Sequence, residues 1–169
     1  MQVIPSTYKF LALKYFNFSV DERWSDWAVN MMQAGFDTES LPMLALLEKP
    51  YNQFELKELT DKIFHELGLD YTDKDFVITR YVHYMLDEAI AGRRKLVSTL
   101  RELRNLHYEL NDVWLLDFYL LSFAKEDLTG YGSTMYWNGA TQTNIDDIII
   151  SQFKKWKLEN PIEDESWKE

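Results

Sequence analysis

Residues 113–124 are apolar on nearly every face that a helix would present to its surroundings. A helix that is apolar all round must be covered by neighbouring elements, because no side of it can face water favourably. We therefore expect this segment to form the buried centre of the fold, with other helices packed around it. Its apolar residues are Val113, Trp114, Leu115, Leu116, Phe118, Tyr119, Leu120, Leu121 and Phe123.

Helix start and stop signals divide the rest of the chain. Ser19 with Glu22 has the pattern of a capping box, in which each side chain bonds the backbone N–H of the other residue. Ser40 with Pro42, and Asn52 alone, are typical of two further helix starts. The remaining signals are Thr72 or Asp73 and Thr143 or Asn144 as starts, and Gly35, Gly68, Gly92 and Pro161 as stops.

These patterns predict an all-α protein, a single-domain irregular helical bundle with solenoid-like helical hairpins and about six to eight helices. We expect residues 1–158 to form the domain and residues 159–169 to form an acidic, frayed C-terminal tail. Residues 6–16 fit a helix, although their crowded Tyr and Phe side chains leave a strand open.

Charge and composition disfavour several classes of function. The chain carries 18 Lys and Arg against 28 Asp and Glu, so its formal net charge is −10, which disfavours binding to nucleic acid or to an anionic membrane. It has no cysteine, which excludes disulfides and cysteine-ligated metal. Because neither a run of about 18 apolar residues nor a signal-peptide pattern occurs, we expect a cytoplasmic protein.

One short basic segment, residues 93–104, interrupts this acidic sequence. We expect its side chains to be solvated or to pair with acidic residues of neighbouring helices, since the field of the rest of the protein opposes phosphate binding. The basic residues are Arg93, Arg94, Lys95, Arg101 and Arg104.

Two histidines stand four residues from an aspartate. Asp61 precedes His65 and His83 precedes Asp87, a spacing that places each pair on one helix face. A helical wheel puts both pairs about 160° from the apolar stripes of their helices, so we expect local, solvent-facing ion pairs. His107 instead falls on a leucine stripe, and we expect a partly buried ring bonded to a neighbour such as a Tyr hydroxyl.

The connection before the last helix contains Tyr131, Tyr136 and Trp137. It lacks the lysine and the preceding strand of a phosphate-binding loop, so we predict a flexible loop. Large aromatic residues on a loop either fill the core or present a contact to a partner. Together with Asp146 and Asp147, which begin the last helix, they are the candidate partner-binding residues. No nucleophile–base pair is evident, so no catalytic, cofactor-binding or metal-binding residue is assigned.

Several ordered segments carry a resemblance to a class of known proteins. They resemble small, acidic, all-helical bacterial proteins of uncharacterised function, and similar small acidic proteins often accompany secreted or contact-dependent toxins as immunity proteins. The resemblance rests on packing and capping residues, and it implies no catalytic motif. The segments are residues 35–45, 54–57, 66–69, 117–121, 136–141 and 144–146.

The leading hypothesis is a non-enzymatic protein-binding protein, an immunity protein whose acidic face covers the cationic active site of a basic toxin domain. The first alternative is a homodimeric helical scaffold or adaptor, whose mark would be an exposed apolar patch. The second is a metal-dependent enzyme that uses the surface pairs containing His65 and His83. No cofactor is expected under the leading hypothesis.

Overall fold

The structure, a computed structural model, describes residues 3–111 and 113–162. Within these residues the chain forms eight α-helices and one short 3₁₀ turn, Val113–Leu115, and no strand. The all-α prediction with about six to eight helices is confirmed. The helices are α1 (Thr7–Tyr15), α2 (Glu22–Gln33), α3 (Leu41–Ala45), α4 (Gln53–Glu66), α5 (Lys74–Ile90), α6 (Leu96–Leu110), α7 (Leu116–Tyr131) and α8 (Ile145–Glu159).

The chain divides into two compact units between Tyr84 and Met85, inside α5. The first unit contains α1 to α4 and the first part of α5, and the second contains the end of α5 and α6 to α8. By sequence, the first unit has 8 basic and 13 acidic side chains and the second has 10 and 15, so each carries a formal charge of −5. None of the described helices is long and apolar enough to cross a membrane.

Aromatic rings fill the core of the first unit. Trp27 Nε1 donates a hydrogen bond to Thr7 Oγ1 at 3.0 Å, whereas Trp24 Nε1 is buried without a hydrogen-bond partner among the described residues. Such ring packing joins α1, α2 and α4, because each large ring buries apolar surface against two or more others. The rings, with neighbouring centroids 5.0–6.2 Å apart, belong to Phe10, Trp24, Trp27 and Phe64.

A buried lysine also ties α1 to α4. The side chain of Lys14 is 8% exposed, and its Nζ lies 2.9 Å from a carboxylate oxygen of Asp61. The same Nζ donates to Thr60 Oγ1 at 2.9 Å and to the backbone carbonyl of Lys57 at 2.7 Å. The Tyr71 hydroxyl donates to Asp61 at 2.5 Å, and this hydrogen bond raises the pKa of Tyr71 to about 12.

The core of the second unit lies between α6, α7 and α8. The ring of Phe118 meets Phe153 edge-on at 5.4 Å, and Leu103 of α6 is fully buried. Trp156 stacks on Trp114 with centroids 5.2 Å apart. Its Nε1 donates to the carbonyl oxygen of Trp114 at 3.1 Å, which satisfies the polar end of a buried ring.

Several predicted helix boundaries are confirmed. Asn52 Oδ1 accepts a hydrogen bond from the Phe54 N–H at 3.2 Å at the start of α4. Gly68, just after α4, has a φ of +66°, a left-handed conformation that glycine adopts at least cost. Asp73 Oδ1 accepts from the Phe76 N–H at 3.0 Å where α5 begins. For residues 6–16 the helix is observed, as α1.

The predicted capping box at Ser19 is wrong. Helix α2 begins at Glu22 with Asp21 as its cap, and Asp21 Oδ1 accepts from the Arg23 N–H at 3.0 Å. The Arg23 guanidinium also binds the Asp21 carboxylate, with a shortest separation of 2.6 Å. This side-chain hydrogen bond lowers the pKa of Asp21. Glu22 is therefore the first helical residue, too early to be the third position of a capping box.

Helix α3 follows Ser40, as predicted, with Pro42 in its first turn. The Ser40 hydroxyl makes no helix cap and instead donates to Glu66 Oε1 at 2.7 Å, while its N–H donates to Oε2 at 3.1 Å. Burial of Glu66 disfavours its charge, but the hydrogen bonds from Ser40 and Thr38 and the charge of Lys62 together outweigh that effect and lower the pKa of Glu66. A serine selected by sequence as a cap thus joins α3 to the end of α4.

Helix α5 is buried on more than one face, and the predicted solvent exposure of His83 is wrong. Nine of the 17 residues of α5 are buried, among them Arg80 and His83 at 7% and 6% exposure. A helical wheel identifies the most apolar stripe of a helix, but it cannot show that neighbouring side chains cover the other faces. The guanidinium of Arg80 lies 3.9 Å from the ring centroid of Phe76, and this ring covers one face of the guanidinium.

The predicted buried helix over residues 113–124 is only partly observed. Its first three residues form a 3₁₀ turn, and α7 begins at Leu116 and continues to Tyr131. Val113 is 77% exposed and Leu116 is 39% exposed. A 3₁₀ turn advances three residues per turn and an α-helix 3.6, so a single wheel drawn through both places the early side chains on the wrong face.

The predicted acidic tail begins where α8 ends, at Glu159. Asn160 donates from its backbone N–H and from its side-chain amide to the carbonyl oxygen of Trp156, at 2.9 and 2.8 Å. Pro161 follows, as expected of a residue that cannot continue a helix. The rest of the predicted tail, residues 163–169, lies outside the described residues.

Candidate partner-binding surface

Tyr131 is the last residue of α7 and not part of a loop, contrary to the prediction. The helix ends at Gly132, whose φ of +77° is the left-handed conformation that commonly terminates helices. The Tyr131 side chain is 85% exposed. Its position on a helix end therefore presents the ring to solvent.

The connection of residues 132–144 is fastened to α7 at two points. Thr134 Oγ1 donates to Asp127 Oδ2 at 3.3 Å, and Gln142 Nε2 donates to the carbonyl oxygen of Leu128 at 2.7 Å. The predicted flexible loop thus carries specific side-chain hydrogen bonds that hold it along the C-terminal half of α7.

The predicted aromatic residues of this connection differ in their surroundings. Tyr136 stacks on Phe123 of α7, with ring centroids 5.1 Å apart and planes 29° apart, yet it remains 44% exposed. Trp137 is half-buried, and Met135, between the loop threonine and Tyr136, is 100% exposed. Within this one connection, one ring packs against α7 and not against the last helix, while the neighbouring Met135 is fully exposed; contact with a partner stays a prediction.

Asp146 and Asp147 lie in the first turn of α8. Asp146 Oδ1 lies 2.7 Å from the Nζ of Lys125 on α7, and its side chain is 60% exposed. Asp147 is exposed. Lys125 stands two residues after Phe123, about 160° away around the helix, so Asp146 and Tyr136 contact different faces of α7. We call the predicted candidate residues together with Met135 the loop patch: Tyr131, Met135, Tyr136, Trp137, Asp146 and Asp147.

A shallow hollow of about 290 Å³ adjoins the loop patch between α6 and α7. Val97 and Leu100 line its α6 side, and Lys125, Thr129 and Gly130 are among the residues on its α7 side. Lys125 also pairs with Asp146, and Gly130 directly precedes Tyr131. The patch therefore combines protruding side chains with a recess that a partner could fill.

A row of aromatic rings, the aromatic ladder, continues from the patch across α7 to α6. The rings of Tyr108 and Tyr119 lie 5.5 Å apart and those of Tyr119 and Phe123 lie 5.1 Å apart, before Tyr136 completes the row. Arg104 lies over Phe123 at 4.9 Å. Hydrogen bonding to Tyr119 raises the pKa of Tyr108. The sequence prediction assigned Tyr119 and Phe123 to the core, although their spacing of four residues indicates a shared helix face.

His107 lies beside this aromatic ladder, half-buried as predicted. Its ring packs against Tyr119 with centroids 4.9 Å apart. The expected hydrogen bond to a tyrosine hydroxyl is not observed at Nδ1, which has no hydrogen-bond partner among the described residues. Ring packing, not a directed polar contact, places this histidine.

The basic segment pairs with acidic residues, one of its two predicted outcomes. Arg93 lies 2.7 Å from Glu88, and Arg94 pairs with Glu102. The Arg104 guanidinium lies 3.0 Å from Glu126 on α7. The segment therefore presents fewer free positive charges than its sequence indicates.

The predicted ion pair of Asp61 with His65 is not observed, because Asp61 binds Lys14 and Tyr71 instead. His65 is exposed, as predicted. Asp87 is paired with Lys157. In the part of the chain that the structure describes, no group of three or more His, Asp or Glu side chains is placed to hold a metal ion.

Searches against protein-family models, curated proteins and solved structures found no match to this chain.

Proposed function

We propose that this chain is a non-enzymatic, cytoplasmic protein-binding protein of the toxin-immunity type, which covers the cationic active site of a basic toxin domain. The observation that carries the proposal is the exposure of Tyr131 and Met135, at 85% and 100%, in a unit whose last helix begins with the exposed Asp146 and Asp147. Large apolar side chains at such exposure gain most when a partner covers them.

Charge supports a basic partner. Each compact unit has a formal charge of −5, and Asp146 and Asp147 place two exposed carboxylates in the first turn of α8, in the same unit as Tyr131. Electrostatic complementarity speeds association and selects partners of opposite charge, while buried aromatic contacts slow dissociation. In the proposed complex the carboxylates act during approach, and Tyr131 and Met135 hold the docked state.

The test uses the product of the gene that neighbours this one, purified as its toxin domain. Calorimetric titration at low and high salt measures binding, and co-production in cells measures protection from the toxin. Replacing Tyr131 and Met135 by alanine is expected to weaken binding at least about 10-fold. Replacing Asp146 and Asp147 by asparagine is expected to slow association and to reduce its dependence on salt.

A matched control replaces Asp26 and Asp37, two exposed aspartates of the first unit, by asparagine. This variant loses the same charge at residues that are not part of the loop patch and is expected to keep the wild-type affinity. The proposal fails if the neighbouring gene encodes no toxin, if the toxin binds equally at all salt concentrations, or if both aspartate variants lose affinity alike.

A homodimeric scaffold is the second candidate, and the exposed apolar side chains of the second unit favour it. Val113 and Leu158 are 77% and 82% exposed, as expected of side chains that a second copy covers. Sedimentation across a wide concentration range decides this candidate. A dimer that dissociates when Leu158 is replaced by lysine supports it, and a monomer at all concentrations excludes it.

A further inference from the structure

A second recess, separate from the residues of the loop patch, opens between the start of α7 and the end of α8. It encloses about 340 Å³, near the lower end of the range of about 300–1,000 Å³ typical of small-ligand sites. We call it the Trp groove. Its lining includes Val113, Trp114, Leu116, Asp117, Trp156 and Glu159.

The aromatic wall of the Trp groove is held in place before any ligand arrives. Trp114 and Trp156 stack at 5.2 Å with planes 25° apart, and the Nε1 of Trp156 is committed to the carbonyl oxygen of Trp114. Trp156 is 7% exposed, whereas Trp114 is half-buried. The half-buried indole of Trp114 is thus a rigid surface that costs little entropy to bind.

The charges of the Trp groove are acidic. Asp117 and Glu159 line it, and no Lys or Arg occurs among the described residues of its lining. Lys155, on the same helix, lies 3.8 Å from Glu159, at the outer limit of an ion pair, and both side chains are more than half exposed. The groove also adjoins the C-terminal end of α8, where the helix dipole favours cations. Asp117, in the first turn of α7, offsets the positive end of that helix.

We propose that the Trp groove docks an arginine side chain of a basic peptide segment on a partner protein. Guanidinium groups stack on indole rings and bind carboxylates in a planar geometry, a combination that the ammonium group of lysine cannot reproduce. The apolar rim, Val113 at 77% exposure and Leu116 at 39%, covers the aliphatic part of the arginine and its neighbours. The volume suits one or two side chains.

The test is fluorescence anisotropy with a labelled pentapeptide that contains one central arginine between leucines, set against the same peptide with citrulline. Citrulline keeps the shape of arginine and removes its charge. We expect the citrulline peptide to bind at least about 10-fold more weakly. The double variant Asp117→Asn with Glu159→Gln is expected to lose a similar factor and most of the salt dependence.

The control is the variant Asp26→Asn with Asp37→Asn, which removes the same charge at exposed residues that do not line the Trp groove and is expected to bind the peptide like wild type. Circular dichroism checks that each variant folds. Equal binding of both peptides, equal loss in both variants, or no saturable binding below about 1 mM overturns the proposal. Because the two surfaces share no residue, failure here is distinguishable from failure of the proposed toxin contact.

Discussion

The Nζ of Lys14 lies 2.9 Å from a carboxylate oxygen of Asp61 while the lysine side chain is 8% exposed. A buried ammonium group is tolerated only when its hydrogen bonds are made within the protein, and Thr60 and the carbonyl of Lys57 supply two more acceptors. The lysine is thus a structural link between α1 and α4.

Replacing Lys14 by methionine, which keeps most of the volume, is expected to lower the free energy of unfolding by about 2 kcal/mol. The loss arises because three acceptors lose their donor. Lys62→Met is the control, since Lys62 also pairs with carboxylates but is 51% exposed, and it should lower stability much less. Equal losses in urea unfolding would show that burial does not set the strength of the Lys14 link.

The second prediction concerns the loss of stability at low pH and the carboxyl group of Glu66. Its pKa in the folded protein lies below the ordinary value, because the hydrogen bonds from Ser40 and Thr38 and the charge of Lys62 together outweigh the effect of burial. A carboxyl whose pKa is lowered by folding stabilises the protein above its unfolded pKa, and that stability is lost as the pH falls through the folded pKa.

We therefore expect the free energy of unfolding to fall less in Glu66→Gln than in the wild type when the pH is lowered from about 6 to about 3. Glu58→Gln, at an exposed position of the same helix, should follow the wild-type curve. Urea titrations at each pH make the comparison. If the stability of Glu66→Gln and of the wild type falls in parallel with pH, the hydrogen bonds to Glu66 do not lower its pKa.

The third prediction contrasts two glycines at the end of α7. Gly130 is helical, and an added Cβ would meet nothing within 4 Å, so Gly130→Ala should raise stability by about 0.5 kcal/mol. Gly132 has a φ of +77°, and Gly132→Ala should lower stability by about 1 kcal/mol. Thermal and urea unfolding of both variants measure the effects. Shifts of the same sign would contradict the helix end placed at Tyr131.

The fourth prediction contrasts two buried tryptophans of α2. Phenylalanine at either position removes a similar ring volume, but Trp27 donates to Thr7 and Trp24 has no hydrogen-bond partner among the described residues. Trp27→Phe should therefore cost about 1 kcal/mol more than Trp24→Phe. Urea unfolding followed by far-ultraviolet circular dichroism compares them. A larger loss for Trp24→Phe would mean that its indole N–H is satisfied in solution.

Local signals explain why much of the helical pattern was predictable. Asn52, Asp73 and Gly68 act on backbone groups within a few residues of themselves, so their roles follow from short-range geometry. Where two capping residues compete, as Ser19 and Asp21 do, the pattern alone does not decide. Asp21 has the Arg23 guanidinium as an additional partner.

Long-range contacts explain what the sequence did not reveal. His83 is polar and lies off the main apolar stripe, yet tertiary packing buries it. The sequence left open whether Tyr131 fills the core or faces outward, and it is exposed; its helix also runs further than the glycine beside it indicated. The Trp groove depends on Trp114 and Trp156, which stand 42 residues apart. No periodicity within either segment points to that pairing.

The ion pairs of the basic segment have a consequence for what approaching molecules sense. Arg93, Arg94 and Arg104 each face a carboxylate, and a paired charge acts at a distance as a small dipole, whose potential decays faster than that of a lone charge. Beyond the Debye length, about 8 Å at physiological ionic strength, these arginines therefore contribute almost nothing to the electrostatic potential. A solute that approaches these three arginines therefore senses little of their positive charge until it contacts the guanidinium groups.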